Sequence, residues 1–237
     1  QGFNCMVLNA KRESYQGKSF TSARVNTAGK VWMQYGKIES RIKIPATANG
    51  LWPAFWMLGY DFNGSNWPSC GEIDIMECGH SGGIAGGTQS SFMGGALHWG
   101  TNSPVYKHNL DYTAAPGPYS IQDEFHLFTL IWTPESIKMY LDLDRYPNSA
   151  PFYQKSIAAG SADNIANSFH KPYHLLYNLA VGGAGFTGIG NPNQVTALPY
   201  NNTPAKYYVD YIRVYQKGDQ GEKFYSVVPL VADTEKP

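Results

Sequence analysis

The chain has 237 residues, and its 18 basic and 18 acidic residues leave no formal net charge. Lys and Arg are scattered rather than clustered, which excludes a polyanion such as nucleic acid as the natural partner and permits a neutral polymer. Only 15% of the residues are charged and 14% are aromatic, against roughly 25% charged in an average domain. Flat rings with polar edges suit either a β core or the C–H faces of sugars.

The length fits one large all-β domain or two small domains. No apolar run is long enough to span a membrane, and no secretory leader is visible at Gln1. There are three cysteines, Cys5, Cys70 and Cys78. An odd count cannot be a complete internal disulfide framework. Cys70 and Cys78 flank the acidic segment described below, and either pair or remain as buried thiols.

Short segments rich in β-branched and aromatic residues predict strands over 35–44, 126–132, 136–143, 173–180 and 207–215. Turn-formers separate them at Ala48-Asn49-Gly50, Phe62-Asn63-Gly64-Ser65, Ser81-Gly82-Gly83, Asn191-Pro192-Asn193 and Asn201-Asn202-Thr203-Pro204. One short helix is expected around 161–168, with Ser161 as its cap. Many short strands between turns predict a sandwich or jelly roll. There is no internal repeat. Residues 1–216 read as one domain, and residues 217–237 as a polar extension laid over the surface or partly disordered.

Residues 71–77 read Gly-Glu-Ile-Asp-Ile-Met-Glu. Side chains alternate faces along a strand, so Glu72 and Asp74 share one face while Ile73 and Ile75 point into a core. Unbroken alternation would bury Glu77, which is costly for an unpaired carboxylate. One extra residue near Ile75–Met76, a β-bulge, returns Glu77 to the face of the other two acids. Three carboxyls so placed cannot all ionise at their usual pKa values. Retaining cleavage of a glycosidic bond uses two carboxyls about 5–5.5 Å apart, one nucleophile and one acid then base. An exposed acidic strand is the plainer reading. The Trp-rich run 51–59 and the pair Trp67-Pro68 beside the acids favour a sugar site.

Together these segments closely resemble glycoside hydrolase family 16, in its laminarinase-like branch. The resemblance rests on YGKIESRIKIP at 35–45, LWPAFWMLG at 51–59, WPSCGEIDIME at 67–77, LHWG at 97–100, FHLFTLIW at 125–132, PYHLLYNLAVGG at 173–183 and YVDYIRVYQ at 208–216. It implies a concanavalin-like β-jelly-roll sandwich with a cleft on its concave sheet. It implies an endo-acting retaining hydrolase of β-1,3 and mixed-linkage β-1,3/1,4 glucan, with Glu72 as nucleophile, Asp74 as the partner between, and Glu77 as acid/base. A non-catalytic glucan-binding protein or a transglycosylase on the same fold are the alternatives. The former typically lacks one of the glutamates.

Position by position, the resemblance implies Glu39 and Arg41 as a substrate-binding pair, with a structural ion pair between Arg41 and an acid of the cleft as the alternative, and Trp52 and Trp67 as stacking platforms. Trp56 is expected in the core. His98 is expected near the acid/base, and Asn178 either on sugar hydroxyls or as a turn or core amide. Asp210 is expected to help hold a structural calcium; no cofactor is expected for catalysis. The loop 182–190 lacks a tryptophan usual in laminarinases; either Phe186 stands in for it or that subsite is weaker. The chain opens where the family's second or third strand is expected, so an N-terminal piece is missing or the tail after Gln216 takes its place. A monomer is expected, secreted, on the cell surface or in the periplasm.

Overall fold

The computed structural model describes residues 4–100, 106–114, 120–122, 124–161, 164–227 and 229. Side chains within 106–114 are described only at Asn109.

Two antiparallel sheets form the molecule. The first joins β1 (Met6–Tyr15), β2 (Lys18–Thr21), β5 (Gly36–Lys43), β10 (His126–Trp132), β11 (Ser136–Leu141), β12 (Tyr153–Ser156) and β14 (Ala205–Tyr215). Its order is β12-β11-β10-β5-β14-β1-β2. The second joins β4 (Val31–Gln34), β6 (Leu51–Gly59), β7 (Glu72–Cys78), β8 (Phe92–Gly100), β9 (Tyr106–Ala114), β13 (Tyr173–Val181) and β15 (Lys223–Ser226) in the order β15-β4-β13-β6-β7-β8-β9. A short β3 (Arg24–Asn26) also pairs with β13. This is the expected jelly-roll sandwich.

Alternation explains why the sheets pack face to face. On β6, Leu51, Phe55 and Met57 are fully buried, and on β13 so are Tyr173 and Leu179. On β5 the inward residues are Ile38, Ser40 and Ile42. Aromatic pairs lock the interior: Phe55 stacks on Tyr177 at 4.8 Å, and Trp132 meets Tyr35 and Tyr173 edge-on at 5.2 and 5.3 Å. Each ring so buried contributes roughly 1.5–3 kcal/mol by leaving water. The Tyr177 hydroxyl is satisfied by donating to Ser40 Oγ at 2.8 Å.

The strands expected from sequence form at or near their expected limits. The β11 strand stops at Leu141 because Asp142 takes a left-handed conformation, φ 53°. The helix expected over 161–168 is shorter and later: α2 (Ile165–Phe169). Ser161 does not cap it. Asn164 precedes the helix, also left-handed, with no side-chain capping bond. Residues 162–163 of the expected helix lie outside the described residues. Conversely, Ser81-Gly82-Gly83, expected as a turn, opens α1 (Ser81–Gly86), capped by His80 Nδ1 accepting from Gly82 N. All three cysteines are free, with Cys70 and Cys78 buried. Burial pushes the Cys70 thiol up to about 11, so it is inert as a nucleophile. The tail does not merely lie on the surface, because β15 hydrogen-bonds along β4 in register Lys223↔Gln34 to Ser226↔Val31. Among the described residues no helix is long and apolar enough to cross a membrane.

Candidate active site

The second sheet carries the acids on its face away from the core. The predicted bulge is present. On β6, Phe55 pairs with Met76 and Trp56 with Asp74, so β7 spends one extra residue there. The same shift appears on the other side, where Asp74 pairs with Ala96 and Glu77 with Gly94. Ile75 and Met76 both point into the core, fully buried. The cost of one unpaired ladder position returns Glu77 to the cleft wall.

Beside the acids, the neighbouring strands present small residues: Ala54 and Gly94 opposite Glu77, and Ala96 opposite Asp74. These leave an open floor. A cavity of about 440 Å³ lies over it, lined by Arg24, Trp52, Trp56, Glu72, Asp74, Glu77 and Asn178 among others.

Each glutamate accepts from its own indole. Trp67 Nε1 donates to Glu72 Oε2 at 2.9 Å. Trp52 Nε1 donates to Glu77 Oε1 at 2.8 Å. Such bonds to a carboxylate are among the stronger ones in proteins. His98 Nε2 lies 3.1 Å from Asp74 Oδ2 and 3.8 Å from Glu72 Oε1. His98 therefore serves the Glu72 side of the row, not the Glu77 side expected from sequence; its strand pairs it directly with Glu72. The ligand atoms of Glu72, Asp74 and His98 lie within 4.8 Å of one another.

Burial pushes the Glu72 carboxyl well above its usual range; Asp74 and Glu77 add to the rise, while His98 and the Trp67 donor oppose it. Asp74 is raised likewise, by burial first and then by Glu77, against a hydrogen bond with Glu72. Three carboxyls buried side by side cannot all carry charge at the usual pH. The row therefore holds fewer than three charges, as paired like charges in low dielectric require.

The structure brings together Glu72, Asp74, Glu77, Trp52, Trp67, His98 and Asn178, as expected. Trp56, expected in the core, is instead in the cleft. It shares the face of Trp52 by simple alternation, and its Nε1 donates to Asn178 Oδ1 at 2.7 Å. The Asn178 amide oxygen is thus taken by Trp56, and its Nδ2 reaches Trp52 O at 3.4 Å. Trp52 is not an open platform, since Phe186 stacks on it at 4.1 Å and 6°. Phe186 in turn is only 8% exposed and offers little face to a ligand.

Glu39 and Arg41 are not in the cleft. On β5 the inward side belongs to Ile38, Ser40 and Ile42, so Glu39 and Arg41 lie on the outer face of the opposite sheet. There Lys37 pairs with Glu39 at 2.9 Å, and Arg41 pairs with Asp210 at 2.7 Å. Asp210 sits at a register shift between Val209 and Tyr211. A calcium ion wants six to eight oxygens. The Arg41 guanidinium already occupies this carboxylate with a fixed positive charge, and among the described residues Asp210 belongs to no cluster of three ligating side chains. The described side chains around Asp210 do not by themselves supply that ligand set.

Arg24 was not legible from sequence. Its guanidinium lies 4.4 Å from the centre of the Trp56 ring, and burial lowers its pKa against the pull of Glu72. Only the register Asn178↔Arg24 places it there. A three-residue strand carries no periodicity that would have found it.

The profile of the family described as Glycosyl hydrolases family 16 matches residues 2–150. A beta-glucanase of Rhodothermus marinus is 34% identical over 220 residues, covering 91% of this chain and 69% of the relative. A glucan endo-1,3-beta-glucosidase A1 of Niallia circulans is 32% identical over 198 residues; the match covers 84% of this chain and 26% of the relative. Among solved structures, a Bacteroides ovatus family 16 protein of a mixed-linkage glucan locus, in complex with a G4G4G3G product, superposes with a TM-score of 0.76. It is 34% identical, with 89% of this chain and 81% of that one covered.

Proposed function

This chain belongs to glycosyl hydrolase family 16, and from that premise we propose that it is an endo-acting retaining hydrolase of β-1,3 and mixed-linkage β-1,3/1,4 glucan. The observation that carries the reading is the bulged row Glu72, Asp74, Glu77, with an indole N–H on each glutamate. A site that only bound sugar would have no need to bury three carboxyls side by side.

Glu72 attacks the anomeric carbon, and the bond to the leaving oxygen breaks as Glu77 gives that oxygen its proton. Asp74 takes up the proton that burial keeps on the row, which leaves Glu72 ionised for attack and relieves the like charge. A covalent glycosyl-enzyme results. Glu77, now ionised, takes a proton from water, whose oxygen attacks the same carbon and releases Glu72. His98 lies close enough to Asp74 to steady its charge as the proton moves back. The open floor at Ala54, Gly94 and Ala96 suits a sugar ring lying over the acids. The mixed-linkage part of the reading draws support from the product complex of the Bacteroides ovatus structure. A polymer of this kind is met outside the cytoplasm, and all three carboxyls of the row stand on one strand of one chain. The proposal therefore includes secretion, surface or periplasmic display, and action as a monomer.

Incubation with laminarin, barley mixed-linkage glucan and agarose, with products resolved by chromatography, tests this. A ladder of oligosaccharides from both glucans, none from agarose, and retained anomeric configuration are expected. Binding to laminarin without products refutes hydrolysis, and larger products in the presence of acceptor oligosaccharide refute hydrolysis as the main outcome.

A further inference from the structure

Within the loop 182–190 the one aromatic ring, Phe186, is nearly buried. We propose that Phe186 is a positioning residue: it acts through Trp52 to hold the indole N–H on Glu77, and so governs proton transfer to the leaving group rather than binding sugar. The inference rests on the hydrolase reading above and adds a residue and a route to it.

The ring stack is close to parallel, 6° at 4.1 Å. On the way to the acid, Trp52 Nε1 reaches Glu77 Oε1 at 2.8 Å. An indole can direct its single N–H only by fixing the whole ring, because the donor lies in the ring plane. Phe186 fixes it. Gly183, at φ 105°, approaches the same indole so closely that an added Cβ would lie 3.1 Å from its Cε3 and Cζ3. Gly183 thus lets the loop backbone close on the ring.

Phe186 is itself held. Its carbonyl accepts from Ser81 N at 2.9 Å and its N–H donates to Gly183 O at 3.0 Å. His80 meets it edge-on at 5.1 Å. The loop is tied to β6 by Gly182 N donating to Gly50 O at 2.7 Å. Thr187 closes the turn by donating, from N and Oγ1, to Gly183 O at 2.8 and 3.0 Å. Nothing comparable is needed if the ring is a sugar platform, since a platform must be exposed and this one is 8% exposed.

A stacked pair biases two ring orientations by roughly 2- to 10-fold. The test compares Phe186→Ala, Phe186→Leu and Phe186→Tyr on laminarin and on an activated dinitrophenyl β-glucoside of laminaribiose, with thermal melts to confirm folding. Expected is a fall of about 10-fold in kcat on laminarin for the Ala and Leu variants, a first step on the activated glycoside within about 2-fold of the parent, and recovery by Tyr. The ¹⁵N-indole resonance of Trp52, assigned with Trp52→Phe, is expected to move upfield in Phe186→Ala. Equal loss on both substrates, an effect confined to KM, or an unmoved Trp52 resonance overturns the proposal. If the parent cuts neither glucan, the hydrolase reading fails, and the resonance alone decides whether Phe186 positions Trp52.

Discussion

Replacing Glu77 by Gln removes a proton while nearly conserving a shape. Glu77 is 6% exposed and accepts from Trp52 Nε1. The Gln carbonyl oxygen can accept the same bond, and Ala54 and Gly94 opposite leave room for the amide. A poorly satisfied amide N–H there costs about 1–3 kcal/mol, below the roughly 5–15 kcal/mol that keeps a domain folded. The variant should therefore fold, and melts should show it. Catalysis is another matter. A positioned general acid contributes about 10²- to 10⁴-fold, or about 3–5 kcal/mol of barrier. The glucan alkoxide cannot leave without a proton, so kcat on laminarin should fall by that factor. A dinitrophenolate needs no proton, so its release should persist as a burst of one equivalent. The second step, deprived of its base, then stalls with the sugar on Glu72, which intact-mass spectrometry reads directly. Equal loss of burst and turnover on both substrates would refute the assignment of Glu77 as acid/base.

Three further outcomes follow from the geometry. Trp67→Phe removes a donor that favours ionised Glu72, a carboxyl that burial already holds high. The acid limb of the pH–rate profile should therefore move to higher pH, and an unchanged limb would mean that the indole does not reach Glu72 in solution. Trp56→Ala removes both the donor to Asn178 and the surface under Arg24, so kcat/KM on glucan should fall about 10- to 100-fold; a change in melting temperature alone would return Trp56 to a structural role. Asp142 is buried, which alone would raise its carboxyl, but His126 Nδ1 at 2.8 Å and Leu127 N at 2.8 Å outweigh burial and hold it below its usual value. Its stabilisation is thus present above the unfolded value near about pH 4 and is lost as pH falls through the folded one. Asp142→Asn should cost about 1–3 kcal/mol at pH 7, and the gap to the parent in urea melts should narrow toward pH 3. A constant gap would show that the cluster does not titrate with folding.

The catalytic row was legible because two constraints collide in seven residues. Alternation forbids Glu77 its place on the cleft face, burial forbids it the core, and only one inserted position satisfies both. Strand segments were legible for the same periodic reason. Trp is a common core residue, yet alternation with Trp52 puts the Trp56 ring on the same face, and that rule decides its place in the cleft. Glu39 and Arg41 were assigned to the cleft by resemblance, yet which sheet β5 joins depends on pairing with β10 and β14, more than 80 residues away. Arg24 depends on one register with β13. His98 was correctly placed in the site and wrongly paired, because cross-strand partners are fixed by the bulge rather than by proximity in sequence.

The pairing of β15 with β4 bears on how this protein is handled. Gln216 Nε2 donates to the carbonyls of Gln34, Tyr35 and Lys223 at 3.1, 2.9 and 3.0 Å, so one amide ties the returning tail to the strand it covers. Without 223–226, one side of Val31–Gln34 would present unpaired N–H and C=O groups beside the half-buried Trp32 indole. Such an edge invites a strand from another molecule. A chain trimmed after Gln216 would keep every carboxylate and indole of the cleft. Its failure would come as association through β4 during expression or storage, with the specific activity of the surviving monomer intact.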